Sequence, residues 1–87
     1  MAIKILIASP LRPYTGADEV EAAGDSLGAL LDDLDARYPG IRFRMIDEQE
    51  RVRRHMRVFI NRESISDLDR ALAPDDEVMI LHALSGG

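Results

Sequence analysis

The chain has 87 residues, a net charge of −5, 46% hydrophobic and 31% charged side chains and no tryptophan, enough for one modest core and not for two. The acidic balance argues against a nucleic-acid binder, because phosphate contacts need clustered Lys and Arg. There is no cysteine, which excludes a disulfide framework, a thiolate metal site, a cysteine-ligated iron–sulfur cluster and a nucleophilic Cys.

In chain order, Ile3, Ile5 and Ile7 alternate with Lys4 and Leu6, the period-2 pattern of a strand. The apolar run Ile5-Leu6-Ile7-Ala8 is too short for a signal peptide or a membrane span, and Pro10 ends it. The expectation is a cytoplasmic protein without membrane association. Pro10, Pro13 and Gly16 predict a loop, and Glu19-Val20-Glu21-Ala22 a second, weaker strand. Asp25 or Ser26 offers an N-cap to a helix carrying Leu27, Leu30, Leu31, Leu34 and Tyr38 at helical spacing. Asp32, Asp33 and Asp35 fall on its other side, read as a solvated face, and Pro39-Gly40 ends it.

Residues 41–56 read as an extended segment around a turn near Asp47-Glu48. Arg57-Val58-Phe59-Ile60 is a strand closed by Asn61, a residue that tolerates left-handed backbone. Ser66 to Leu72 predicts a short helical turn, Pro74-Asp75-Asp76 a tight turn and Glu77 to His82 the last strand. The order is β-β-α-β-(short β)-β: an α+β fold with a mixed sheet of four to five strands and one main helix packed on one face. Residues 1–82 are expected to form one domain, and residues 83–87 a flexible C-terminal tail.

That tail ends in Ser85-Gly86-Gly87. Glycine lacks Cβ, so a diglycine end can lie extended in a slot too narrow for other residues. Two terminal glycines arise by chance in about one chain in 200 at a Gly usage of about 7%. Their weight therefore depends on the body that presents them.

The second half carries Val58-Phe59-Ile60-Asn61-Arg62-Glu63, Leu72, Asp75-Asp76-Glu77-Val78-Met79-Ile80 and the terminal Gly86-Gly87. With these motifs the chain resembles the ubiquitin-like β-grasp sulfur carrier proteins, related to the small subunit of molybdopterin synthase and the thiamin sulfur carrier. Arg62 and Asp75 replace glycines often seen in the two turns, and His82 stands where many members have proline. The charged stretch from Asp47 to His55 is similar to the longer middle segment of carriers of the cysteine-biosynthesis type.

The resemblance implies that a ubiquitin-activating-like adenylyltransferase joins the Gly87 carboxylate to AMP, with ATP and Mg²⁺ held on that partner. Sulfur then replaces AMP, and the resulting thiocarboxylate donates sulfur in a sulfur-acceptor enzyme of cofactor or amino-acid biosynthesis. The chain would be a protein co-substrate rather than an enzyme, binding no cofactor or metal itself. Gly87 and Gly86 are the candidate reactive end. Three alternatives stay open: a small subunit of a heteromeric molybdopterin-synthase-like enzyme, a protein modifier, and a β-grasp binding module with an inert tail.

Docking needs an apolar face. Val78 and Ile80 point to one side of the last strand, and Met79 and Leu81 to the other. Phe59, Met79 and Leu81, with Leu6 as a further contributor, are the candidate partner-binding patch, and Leu84 would anchor the tail. Ordinary core is the competing reading of the patch, because face depends on register. Arg51, Arg53, Arg54 and Arg57 read as a solvated strand edge before a grip on an acidic partner or a phosphate. Asp75-Asp76-Glu77 can add an acidic surface. His55 and His82 are too isolated for a metal or catalytic role.

Overall fold

A computed structural model describes residues 2–82. The alternating isoleucines form β1 (Ile3–Ile7), which pairs antiparallel with β2 (Glu19–Ala22) and parallel with β5 (Val78–His82). On the far side of β5 lie β3 (Met56–Ile60) and β4 (Glu63–Ile65), both pairings antiparallel. The sheet order is β2-β1-β5-β3-β4. The mixed five-stranded sheet agrees with the expected α+β architecture.

The main helix, α2 (Leu27–Arg37), follows a one-turn α1 (Arg12–Thr15) and buries Leu27, Leu30, Leu31 and Leu34. These meet Ile3, Ile5, Ile7, Val58, Ile60, Val78 and Ile80 from one face of the sheet in one contiguous core. Each fully buried aliphatic side chain contributes about 1.5–3 kcal/mol by leaving water. No polar or charged side chain among the described residues is buried.

Both ends of α2 are closed by specific bonds. Ser26 Oγ accepts from Ala29 N at 3.2 Å as the N-cap. Leu27 N and Gly28 N donate to the carbonyls of Arg70 at 2.9 Å and Leu68 at 2.8 Å, so a crossing loop satisfies the amides a helix start leaves open. At the other end Asp35 Oδ1 accepts from Gly40 N at 3.0 Å and Arg42 N at 3.1 Å. Asp33 Oδ2 accepts from Ala23 N at 2.8 Å and pairs with Arg37 at 2.9 Å. Thus Asp33 and Asp35 are not merely a wetted face: they fasten α2 to the segments on either side of it.

Four expectations are corrected. Residues 9–15, read as a loop, form a 3-10 turn (Ser9–Leu11) followed by α1, and Leu11 is buried. Within 41–56, read as extended, Ile41–Met45 forms a short helix, α3, burying Ile41 and Met45. The turn near Asp47 is present, closed by the Ile46–Val52 bridge. Residues 66–72 hold no helical turn: Leu68-Asp69 is a simple turn, and Ala71 bridges Ser26. Finally, of the arginines read as a strand edge, Arg51, Arg53 and Arg54 precede β3, and only Arg57 lies in it, exposed and outside residues 58–60, which pair with β4.

Candidate docking face and tail root

Register decides which side chains the sheet offers. Leu6 stands opposite Met79 in the parallel β1–β5 pair, and Met79 opposite Phe59 in the β5–β3 pair. Leu6, Met79 and Phe59 therefore form one row across three adjacent strands, close enough for neighbouring side chains to touch. Leu81 lies two residues along β5 from Met79, opposite Arg57. The residues between them in sequence, including Ile5, Ile7, Val58, Ile60, Val78 and Ile80, are in the core. The row faces away from α2, and the core reading of Phe59, Met79 and Leu81 does not hold: Leu6 is 44% and Leu81 37% exposed, with Phe59 and Met79 half-buried.

This face leads to the end of β5 at His82. The candidate residues Leu84, Gly86 and Gly87 lie beyond it, outside the described residues. Around His82 is a cleft of about 530 Å³ lined in part by Phe43, Arg44, Arg53, His55 and His82. Phe43, on α3, is 61% exposed, and sequence reasoning passed over it. The available signal was the pair Ile41 and Met45 at one-turn spacing, which buries one side of a short helix and turns Phe43 outward.

At the opposite end of the sheet the β3–β4 hairpin closes with Asn61 and Arg62 at φ 52° and 71°. Asn61 Nδ2 donates to Asp76 Oδ1 at 2.8 Å, Glu77 N donates to Asn61 Oδ1 at 3.0 Å, and Ala73 N donates to Asp76 Oδ2 at 2.8 Å. The hairpin is thereby tied to the turn that launches β5. The Ala73 amide, followed by the Asn61 amide, holds the Asp76 carboxyl below the ordinary aspartate range. For Asp33, the Ala23 amide and then Arg37 do the same.

Arg42 clips α3 to its surroundings. Its guanidinium reaches Glu50 at 3.0 Å and Asp32 at 2.9 Å. The Asp32 contact, through Nε, is short enough for an ion pair but not aligned as a hydrogen bond. Its pKa is raised above the ordinary arginine value, chiefly by the hydrogen bonds to Glu50.

Among the described residues no group of three or more His, Cys, Asp or Glu is placed to hold a metal ion. No helix among them is long and apolar enough to cross a membrane.

The geometry resembles that of known proteins over nearly the whole chain. Residues 5–87 match the ThiS family. The sulfur carrier protein CysO of Mycobacterium tuberculosis is 38% identical over 93 residues, with 100% of each chain covered. Among solved structures, M. tuberculosis CysO superposes with a TM-score of 0.89 at 36% identity, covering 94% of this chain and 99% of the other. The Amycolatopsis orientalis BexX/CysO complex contains a match with a TM-score of 0.89 at 32% identity, covering 99% of this chain and 100% of that one. Haloferax volcanii SAMP1, at 24% identity and a TM-score of 0.82 with 100% coverage of both chains, shares the fold. The β-grasp architecture, the full-length identity and the match running through the terminal diglycine agree, and this chain belongs to the ThiS family.

Proposed function

We propose that the chain is a sulfur carrier protein, a cytoplasmic co-substrate rather than a free-standing enzyme. The observation that carries this reading is the full-length 38% identity to a sulfur carrier protein, with the family match extending to Gly87. A carboxylate is a poor electrophile, because its charge is delocalised and its oxygens leave badly. Activation therefore comes from a ubiquitin-activating-like partner that holds ATP and Mg²⁺. The Gly87 carboxylate attacks the α-phosphorus of ATP, pyrophosphate leaves, and an acyl-adenylate forms. A sulfur donor then displaces AMP, and the thiocarboxylate carries the sulfur to an acceptor enzyme.

In this scheme residues 2–82 are a docking body and residues 83–87 the delivery arm. Five extended residues reach about 17 Å, enough to enter a tunnel while the sheet stays outside. The body's contribution is positioning, which turns a bimolecular encounter into an oriented one. The row Leu6–Met79–Phe59 with Leu81 is the docking face of this proposal, since a contiguous apolar patch on an uncovered sheet face fits a protein partner. A relative crystallised in the BexX/CysO complex supports action together with another protein.

The test is sulfur loading in native extract supplied with ATP and a sulfur source. Gly87→Ala and Gly86→Ala should each lower thiocarboxylate formation or onward transfer at least about 100-fold, the scale on which misplacing a reacting atom acts, with the body's folding unchanged. Turnover at the wild-type rate by either variant would refute the delivery role of the diglycine.

A further inference from the structure

Although the chain is acidic overall, Arg42, Arg44, Arg51, Arg53, Arg54 and Arg57 are six of its eleven cationic side chains. Arg42 is neutralised by Asp32 and Glu50, as Arg12 is by Asp18 and Arg37 by Asp33. Among the described residues, Arg44 and Arg53 have no such ion pair. Both line the cleft at the end of β5, together with Phe43, Glu48, His55 and His82. Because β1 and β5 are parallel and β3 antiparallel to them, two strands end and one begins at this rim. The cleft thus opens at the rim where β5 reaches His82.

The two guanidiniums are held in place by neutral groups. Arg44 Nε donates to Tyr14 Oη at 2.7 Å, and its guanidinium lies 5.9 Å from that ring centroid. Arg53 Nε donates to the Phe43 carbonyl at 2.7 Å, with its guanidinium 4.7 Å from the Phe43 ring centroid. A neutral acceptor fixes a guanidinium without cancelling its charge, and the remaining N–H donors stay available for a planar carboxylate. The His55 and His82 rings stack at 6.3 Å beside them. The cleft therefore combines preorganised positive charge, one carboxylate (Glu48) and an exposed aromatic face.

We infer that this cleft is a second docking subsite, taking an acidic segment of the partner protein that receives the tail, with carboxylates on Arg44 and Arg53 and an apolar side chain on Phe43. The partner's identity rests on the sulfur-carrier reading, but binding at the cleft does not require a working diglycine. Located at the end of β5 beside His82, the subsite gives the partner a contact at the rim of the body that the sheet patch alone does not provide. A guanidinium matches a carboxylate and a phosphate alike, but the exposed Phe43 ring beside it adds an apolar contact that a peptide can use and a bare inorganic anion cannot.

The test is an NMR titration of the ¹⁵N-labelled full-length chain at low salt with the synthetic peptide acetyl-Glu-Glu-Leu-Glu-Asp-amide. Saturable shifts centred on Phe43, Arg44, Arg53, His55 and His82 are expected. Raising the salt to about 0.5 M should weaken binding at least about 10-fold, and Arg44→Gln with Arg53→Gln by about as much. Because Arg53 also packs on Phe43, Arg44→Gln alone provides a second variant, and the amide spectrum reports folding for each. A chain lacking Gly86 and Gly87 should bind the peptide as the wild type does, so a failed sulfur-transfer assay leaves this result readable. The inference is overturned by no saturable shift, by shifts centred on the Leu6–Met79–Phe59 row, or by unchanged affinity in the variants. It is equally overturned by an equal response to inorganic phosphate, which would make this a small-anion site, or by the same shifts on raising protein concentration alone, which would make it a contact between copies.

Discussion

Asn61 and Arg62 both take left-handed backbone in a two-residue hairpin turn, the geometry for which Asn-Gly is favoured. Asn61 is suited to it and is held by its bonds to Asp76 and Glu77; Arg62 carries a Cβ that crowds the following carbonyl. Arg62→Gly should therefore raise stability by about 0.5–1 kcal/mol, after the entropy cost of glycine is subtracted, seen as a higher urea midpoint with unchanged slope. Asp75, the other residue standing where family members often have glycine, has no positive φ, so its replacement relieves no comparable strain. Asp33 and Asp76 act on stability through pH. Both are held below the ordinary aspartate value, so ionisation stabilises the fold. That stabilisation is present in full above the unfolded-state value near pH 4 and disappears as pH falls through the lower folded values. Asp76→Asn keeps the side chain's shape and removes its titration. Denaturation series from about pH 5 to 2 should then show a shallower loss of stability than in the wild type, and parallel curves would contradict the assignment.

At the scale of elements, backbone proximity decides what the sequence pattern leaves open. A Cβ on Gly24 would lie 2.4 Å from Leu30 N and 2.7 Å from Leu30 Cα, so β2 reaches α2 through a contact only glycine permits. Gly24→Ala should cost about 2–3 kcal/mol in chemical denaturation, the scale of forced overpacking; a loss within experimental error would mean that the β2–α2 junction yields freely. The strands and α2 were legible because each carries a long run at a single period: Ile3, Ile5 and Ile7 at two, Leu27 to Leu34 at helical spacing. The helix α3 was not, because one turn buries only Ile41 and Met45 among arginines. Residues 66–72 misled for a tertiary reason. Leu68 and Leu72 have helical spacing, but the carbonyls of Leu68 and Arg70 are committed to the first amides of α2, and a local helix would withdraw them.

For the whole molecule, the sheet divides the chain's apolar residues between two tasks. One face is sealed by α2 and α3, while the other leaves Leu6, Met79, Phe59 and Leu81 outside the core. Sequence reasoning already grouped Phe59, Met79 and Leu81, with Leu6 as a further contributor; the register sets Leu6, Met79 and Phe59 in one row, with Leu81 two residues along β5. Leu81→Asp should lower partner-dependent loading at least about 10-fold, as expected for a charge placed in an apolar contact, while circular dichroism and the unfolding midpoint stay close to wild type. Unfolding of the variant would assign Leu81 to the core instead. The tail-root cleft was hidden from sequence reasoning because its residues come from α3, the 53–55 segment and the end of β5, which only the fold brings together.

The central claim, that the Gly87 carboxylate becomes a thiocarboxylate, is tested most directly on the protein purified from its native cell. Intact and C-terminal-peptide mass spectrometry would be run with and without a thiol-alkylating reagent. Mass alone is ambiguous, because exchange of oxygen for sulfur is nearly isobaric with oxidation of one of the four methionines. The chain has no cysteine, so alkylation mapped to Gly87 reports the sulfur itself. The account predicts that adduct. A Gly87 carboxylate left unmodified, even after incubation with native extract, ATP and a sulfur source, would contradict it.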